Sequence, residues 1–298
     1  MNRANLALLA ATGSGIVVGA ATVATGSIVN EIGPVTIAFG RYLIGVLLLL
    51  PLALRIRWSP VTLRDFLAIL LFGIFQFAIL IILLNFSVIY ISAGLAVLIF
   101  ASLPLLTMAI AILLGRESFT YRKLSGIILT IIGVGFAVGA TAFAQEFGIM
   151  GWVGIGAAFL SAFLGALCSV LYSAHMPRYP TLQISTMAMG CAVLFLFGLA
   201  LMEGMIDTIP LFSTTTWFVL LFIGFSSAVG YFCWLFALAH IPPSNVTVFL
   251  GLSPITASIL GALFIAQPLS VQDLIGTALV IAGLVISLWR RESADTNR

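Results

Sequence analysis

A chain of 298 residues that is 62% hydrophobic and 7% charged, with a mean hydropathy of +1.26, has too few charges to coat a water-soluble globule. Its net charge of +3 comes from twelve basic residues scattered in ones and twos, a spread that excludes a nucleic-acid-binding face. Cys168, Cys191 and Cys233 lie inside apolar runs without C-x-x-C spacing or a neighbouring His, so no disulfide, no metal and no other cofactor is expected.

Crossing a hydrocarbon core about 30 Å thick takes about 20 helical residues. Span 1, at 4–29, is too long for a cleaved signal and has no small-residue cleavage site before the polar Asn30 and Glu31, so it reads as a retained helix. Span 2, at 35–54, carries Arg41, and span 3, at 65–86, carries Gln76. Span 4, at 92–114, has Pro104 near its middle and is followed by span 5 at 122–142. Spans 6 to 8 fall at 151–173, 182–202 and 215–237. Span 9, at 244–266, has Pro254 near its middle, and span 10 covers 272–289. The fold class is therefore an all-α membrane protein with ten transmembrane helices, a single domain over 1–298 that ends in a short tail at 290–298.

Short cytoplasmic connections retain Lys and Arg. With the N-terminus inside, the cytoplasmic side receives Arg3, Arg55, Arg57, Arg64, Arg116, Arg122, Lys123, Arg178, Arg290, Arg291 and Arg298. The other side receives only the acids Glu31, Glu146, Glu203, Asp207 and Asp273. Both termini are expected in the cytoplasm, and Trp58 and Trp289 near span ends read as interfacial anchors.

The chain also repeats. At a shift of 150 positions, Phe86, Ile91, Pro104, Leu113, Leu124, Gly126, Leu129, Ile131 and Gly133 recur as Phe236, Ile241, Pro254, Leu263, Leu274, Gly276, Leu279, Ile281 and Gly283. Repeat one covers about 4–142 and repeat two about 151–289, and an odd number of spans in each makes the two five-helix halves inverted relative to one another. Two halves of similar energy can exchange conformations, so a gate closed on one side in one state is closed on the other side in the next.

A proline inside a helix removes one backbone hydrogen bond and crowds the preceding turn, so kinks are expected at Pro104 and Pro254. Ser102, Thr107, Ser253 and Thr256 are close enough in sequence to satisfy a freed carbonyl. The matching depth of the two prolines points to hinges or to positions on a cavity wall.

The stretch GPVTIAFGRYLIGVLLLLPL, with Pro34 and Arg41, resembles the second-helix pattern of the EamA-type branch of the drug/metabolite transporter superfamily. LPLLTMAIAILLGRESFTYRKLSGIILTIIGV, with Pro104, Gly115, Glu117, Gly126 and Gly133, is similar to that branch's signature, and SPITASILGALFIAQPLSVQDLIGTALVIAGL repeats it. The resemblance implies ten helices in two inverted repeats, a central cavity and transport of a small metabolite, often export of amino acids. Gln267 stands where second halves of the family usually carry Glu, and span 1 lacks the early tryptophan of the pattern.

Arg41 is the one cation placed well inside a span, where a charge costs at least a few kcal/mol. It reads either as a partner for a substrate carboxylate or as a structural anchor; its recurrence in the family across many substrates favours the anchor. Asp65, Glu117, Glu203, Asp273, His175 and His240 fall near helix ends, so no titratable relay crosses the core and the cavity is expected to carry no buried charge. Polar or aromatic residues near mid-span are the candidates for lining it: Ser14, Gln76, Phe100, Ser102, Ser161, Ser226, Tyr231 and Ser253. Gln76 and Ser226 are partners at the same shift, and Tyr172 and Trp234 are placed to form an inner gate.

Gly13-Ser14-Gly15 follows no strand and has no Lys-Ser/Thr, so it fails as a phosphate cradle; Gly15-x-x-x-Gly19 and Gly135-x-x-x-Gly139 read as small faces for close helix approach. No hydrolase motif occurs. The expected protein is not an enzyme but a secondary transporter in a bacterial cytoplasmic membrane, moving a small polar or amphipathic metabolite outward by alternating access. A lipid flippase or channel-like facilitator is the alternative.

Overall fold

The computed structural model describes residues 3–28, 31–91, 93–138, 148–175, 178–209, 212–264 and 271–288. The expectations for Asn30, Gly139, Glu146, Gln267, Trp289 and the tail, and for the side chains of His175 and Asp273, lie outside the described residues. Among the described residues every regular element is helical.

The first half contains α1 (Arg3–Ile28), α2 (Pro34–Ala53), α3 (Leu63–Gly73), a π-helical turn (Ile74–Ile79), α4 (Leu80–Tyr90), α5 (Ala93–Phe100), α6 (Leu103–Leu113) and α7 (Tyr121–Val138). The second contains α8 (Ile149–His175), α9 (Thr181–Met202), the single turn α10 (Met205–Thr208), α11 (Thr214–Leu238), α12 (Pro243–Val248), a 3-10 turn (Phe249–Gly251), α13 (Leu252–Phe264) and α14 (Val271–Leu288). Among the described residues, seven stretches are long and apolar enough to cross a membrane: Arg3–Thr25, Pro34–Ala53, Leu63–Ser87, Leu95–Leu113, Ile149–Ser173, Thr181–Met202 and Thr214–Leu238. This is an integral membrane protein.

Helix ends follow local chemistry. Pro34 opens α2 and Pro243 sits in the first turn of α12, where a missing N–H costs nothing. Thr62 Oγ1 accepts from Asp65 N at 3.2 Å to start α3, and Ser213 Oγ accepts from Thr216 N at 3.1 Å to start α11. Gly115 (φ 67°) and Gly204 (φ 86°) take the left-handed conformation in the turns after α6 and α9.

Acids complete two further helix starts from a distance. Glu203 accepts from Val35 N at 3.0 Å, Thr36 N at 2.6 Å and Thr36 Oγ1 at 2.7 Å, capping α2. Glu117 accepts from Ser244 N at 3.1 Å and Ser244 Oγ at 2.5 Å, capping α12, and pairs with Lys123 at 2.8 Å. On the α2–α3 connection, Ser59 and Gln183 exchange two hydrogen bonds, and Trp58 Nε1 donates to Ala53 O at 2.7 Å.

Both proline-bearing spans are interrupted just before the proline. α5 stops at Phe100, the next turn tightens through Ser102 N to Ile99 O at 3.0 Å, and Pro104 then lies in the first turn of α6. Thr107 Oγ1 donates to Leu103 O at 2.8 Å within α6 instead of serving a freed carbonyl. Span 9 breaks likewise, at the 3-10 turn, and Pro254 is the third residue of α13.

α1 lies along α11 and α13, α2 along α9 and α11, α4 and α6 against α8, and α7 along α14. A side chain on Gly15 or Gly19 would collide with the backbone carbonyl of Phe249 or Ser253, so the glycine face of α1 sets its approach to span 9. Gly135 is not used this way: a Cβ there meets only Leu98 Cδ1 at 3.5 Å.

Candidate functional site

A cavity of about 400 Å³ opens inside the bundle, walled by helical stripes. Ser14, Val18, Thr22 and Thr25 follow one face of α1, and Pro34, Ile37, Ala38, Arg41 and Tyr42 one face of α2. Phe77, Leu80, Ile81 and Leu84 continue the wall down span 3, with Gln76 beside them in the π-helical turn, an irregularity frequent at functional sites. Phe100 and Leu103 flank the break of span 4, and Leu250 enters from the 3-10 turn of span 9. α11 supplies Ser226, Ser227, Gly230, Tyr231 and Trp234.

The cavity is asymmetric along the bundle. The lining residues of α1, α2 and α4 run from mid-span towards the end that holds Glu31 and Glu203. Towards the end rich in Arg and Lys, aromatic rings fill the space. Tyr42 and Phe77 meet edge-on at 5.0 Å, Phe77 and Tyr231 at 4.1 Å, and Tyr172 packs on Phe72 at 5.4 Å. The Tyr172 and Tyr231 hydroxyls are buried and interact with one another.

Of the residues singled out in the sequence, Ser14, Gln76, Phe100, Ser226, Tyr231, Trp234 and Arg41 converge on this cavity. Gln76 and Ser226, one shift of 150 apart, face the same space. Three expected lining residues are placed elsewhere. Ser161 Oγ donates to Leu80 O at 2.9 Å and ties α8 to α4; Ser102 precedes α6 with its hydroxyl buried; Ser253 is packed by its backbone against Gly19. Tyr172 belongs to the aromatic layer beneath the cavity and not to its wall.

Arg41 overturns the expectation of a cavity without charge. Its Nε donates to Ser227 Oγ at 2.5 Å, and its guanidinium carbon lies 5.4 Å from the centroid of the Tyr42 ring. Among the described residues it is the one charged side chain lining the cavity. Gln76 Oε1 is buried and accepts no hydrogen bond. Polar wall residues not singled out beforehand are Thr22, Thr25, Tyr42, Asn85 and Ser227. Thr22 and Thr25 follow Ser14 by eight and eleven residues, on the same helical face, which was the available signal for the first two.

Comparison with known proteins agrees with this geometry. A model of the EamA-like transporter family matches residues 5–139 and, a second time, residues 152–289. An "Uncharacterized transporter" of Archaeoglobus fulgidus is 26% identical over 88% of this chain and 91% of its own. A "Probable terminal-alkyne amino-acid exporter" of Streptantibioticus cattleyicolor is 27% identical over 72% of each. A solved crystal structure, 16% identical, superposes with a TM-score of 0.79 over 95% of this chain and 96% of that one.

Proposed function

Since the chain belongs to the EamA-like transporter family, we propose that it is a secondary transporter with ten spans in two inverted five-helix halves, about 4–142 and 151–289. It carries a small polar or amphipathic metabolite, an amino acid or a related compound, out of the cell by alternating access. The cavity carries this reading: it sits at mid-span and takes walls from both halves, the arrangement in which rocking of one half against the other exposes a fixed site to each side in turn.

Three observations support the inverted pairing. The family model matches twice in succession. Both halves break one span just before the proline that recurs at the shift of 150. The packing exchanges between halves: α1 on α11 has its counterpart in α8 on α4, α1 on α13 in α8 on α6, and α2 on α11 in α9 on α3. With Arg and Lys facing the cytoplasm, both termini and the tail at 290–298 are inside and the state described faces outward. The test is leucine flux into proteoliposomes. Saturable flux, absent from empty liposomes, is the expected result; translocation of labelled lipid without leucine flux would establish the flippase alternative instead.

A further inference from the structure

Building on the transport reading, we propose that Arg41 is the anion anchor of the cavity and sets its charge preference. The solute taken carries a carboxylate beside an apolar body, and an amine lacking the carboxylate is refused.

Among the described residues no carboxylate pairs with the guanidinium. The ion pairs among the described residues are Lys123–Glu117 at 2.8 Å and Arg178–Asp65 at 3.6 Å, both away from the cavity. Of the acids described at the end the cavity approaches, Glu203 caps α2, Glu31 accepts from Thr216 Oγ1 at 2.5 Å, and Asp207 is exposed on α10 and does not line the cavity. A charge placed in a span without a countercharge is expensive, and a solute carboxylate supplies what is missing.

Its geometry also points into the site. Nε is held by Ser227 Oγ, which itself donates to Ile223 O at 2.8 Å, and the Tyr42 ring supports the same side chain. With Nε occupied, the two terminal nitrogens remain as a planar fork that matches the two oxygens of a carboxylate. A purely structural arginine would spend that fork on protein acceptors, and no described residue takes it.

The remaining wall defines the rest of the solute. Phe77, Leu80, Ile81, Phe100 and Trp234 offer an apolar surface to a hydrocarbon body. Gln76 Oε1, buried and unpartnered, is a neutral acceptor for one N–H, so an α-ammonium is tolerated in company with the carboxylate. Alone, an ammonium meets a like charge and no counterion.

The experiment follows thermal unfolding of the purified full chain in detergent with four probes of one branched body: 4-methylpentanoate, leucine, leucinamide and 3-methylbutylamine. Binding to the folded state raises the unfolding midpoint. The two carboxylates are expected to raise it with saturation, and the amide and amine to leave it unchanged. Arg41→Gln should abolish the shifts, and Arg41→Lys should weaken affinity about tenfold, because a point charge replaces the fork. The anchor is overturned by an amine or amide that stabilises as well as the acids, by carboxylate shifts that survive in Arg41→Gln, or by no shift from either carboxylate up to its solubility limit. The wild-type panel decides even where a variant does not fold. Carboxylate-selective binding without flux in proteoliposomes would sink the transport reading alone; saturable flux of the amine would sink the anchor and leave transport standing.

Discussion

The carboxylate of Glu117 binds both the backbone N–H of Ser244, at 3.1 Å, and its hydroxyl, at 2.5 Å, so the turn after α6 holds the first turn of α12. Lys123 closes the group at 2.8 Å. At the shift of 150, the partners of Glu117, Lys123 and Ser244 are Gln267, Asp273 and Gly94, so the opposite half lacks the acid, the cation and the hydroxyl. Glu117→Gln should lower thermal stability by roughly 1–3 kcal/mol, the cost of stripping a charged acceptor from buried donors. A double-mutant cycle with Ser244→Ala should show clear non-additivity. Additive effects would mean that the contact is incidental.

Close approach of α1 to span 9 depends on hydrogen in place of a side chain. Gly19→Val places carbon against the Ser253 backbone and should cost about 1–3 kcal/mol in detergent unfolding. Gly13→Ala is the control: nothing lies within 4 Å of a Cβ there, so stability should hold or rise slightly. Equal effects at both positions would contradict the packing.

Because Pro104 opens α6 and Pro254 lies in the first turn of α13, each fits its local conformation without breaking a helix ladder. Replacing both with alanine should change stability by less than about 1 kcal/mol per site while slowing the maximal rate of exchange, since a break becomes a site where helix can propagate. An unchanged rate would remove them from the mechanism.

Gln76 faces the cavity with an unpartnered carbonyl. Gln76→Ala should raise the KM for leucine about fivefold, the factor that corresponds to one hydrogen bond of roughly 1 kcal/mol. A KM equal to that of wild type would assign Gln76 to packing.

On the α8–α9 connection, Tyr179 donates to Asp65 Oδ2 at 2.6 Å, and this bond, lost on ionisation, holds its phenol above the usual tyrosine range. A pKa raised on folding stabilises below the unfolded value near 10 and loses that contribution as pH climbs through the folded value. The unfolding midpoint should therefore fall between neutral pH and about pH 11 more steeply in wild type than in Tyr179→Phe. Parallel curves would show that the bond has no thermodynamic weight.

The helices were legible because bilayer thickness demands long apolar runs, and these stand out in a chain with few charges. The break at Ala101 and Ser102 was not, since a proline in an apolar run signals a kink and a new helix start equally well. Gln76 and Ser226 were found as polar groups at matching depth. Thr22 and Thr25 were missed although they line the cavity; each hydroxyl returns to its own helix, at Val18 O and Ala21 O, which makes a threonine harmless on any face. Ser161 shows the converse: buried and inward, but spent on Leu80 O. Arg41 was seen as the exceptional cation, but depth alone did not reveal that Ser227 and Tyr42 turn it towards the cavity and not the interface.

Exchange across the membrane tests the central claim most directly. Proteoliposomes loaded with unlabelled leucine and given labelled leucine outside should take up label faster than unloaded ones, because a loaded site returns to the outer side and a single site serves both faces. Uptake that ignores the internal solute and rises without saturation would contradict alternating access and describe a pore.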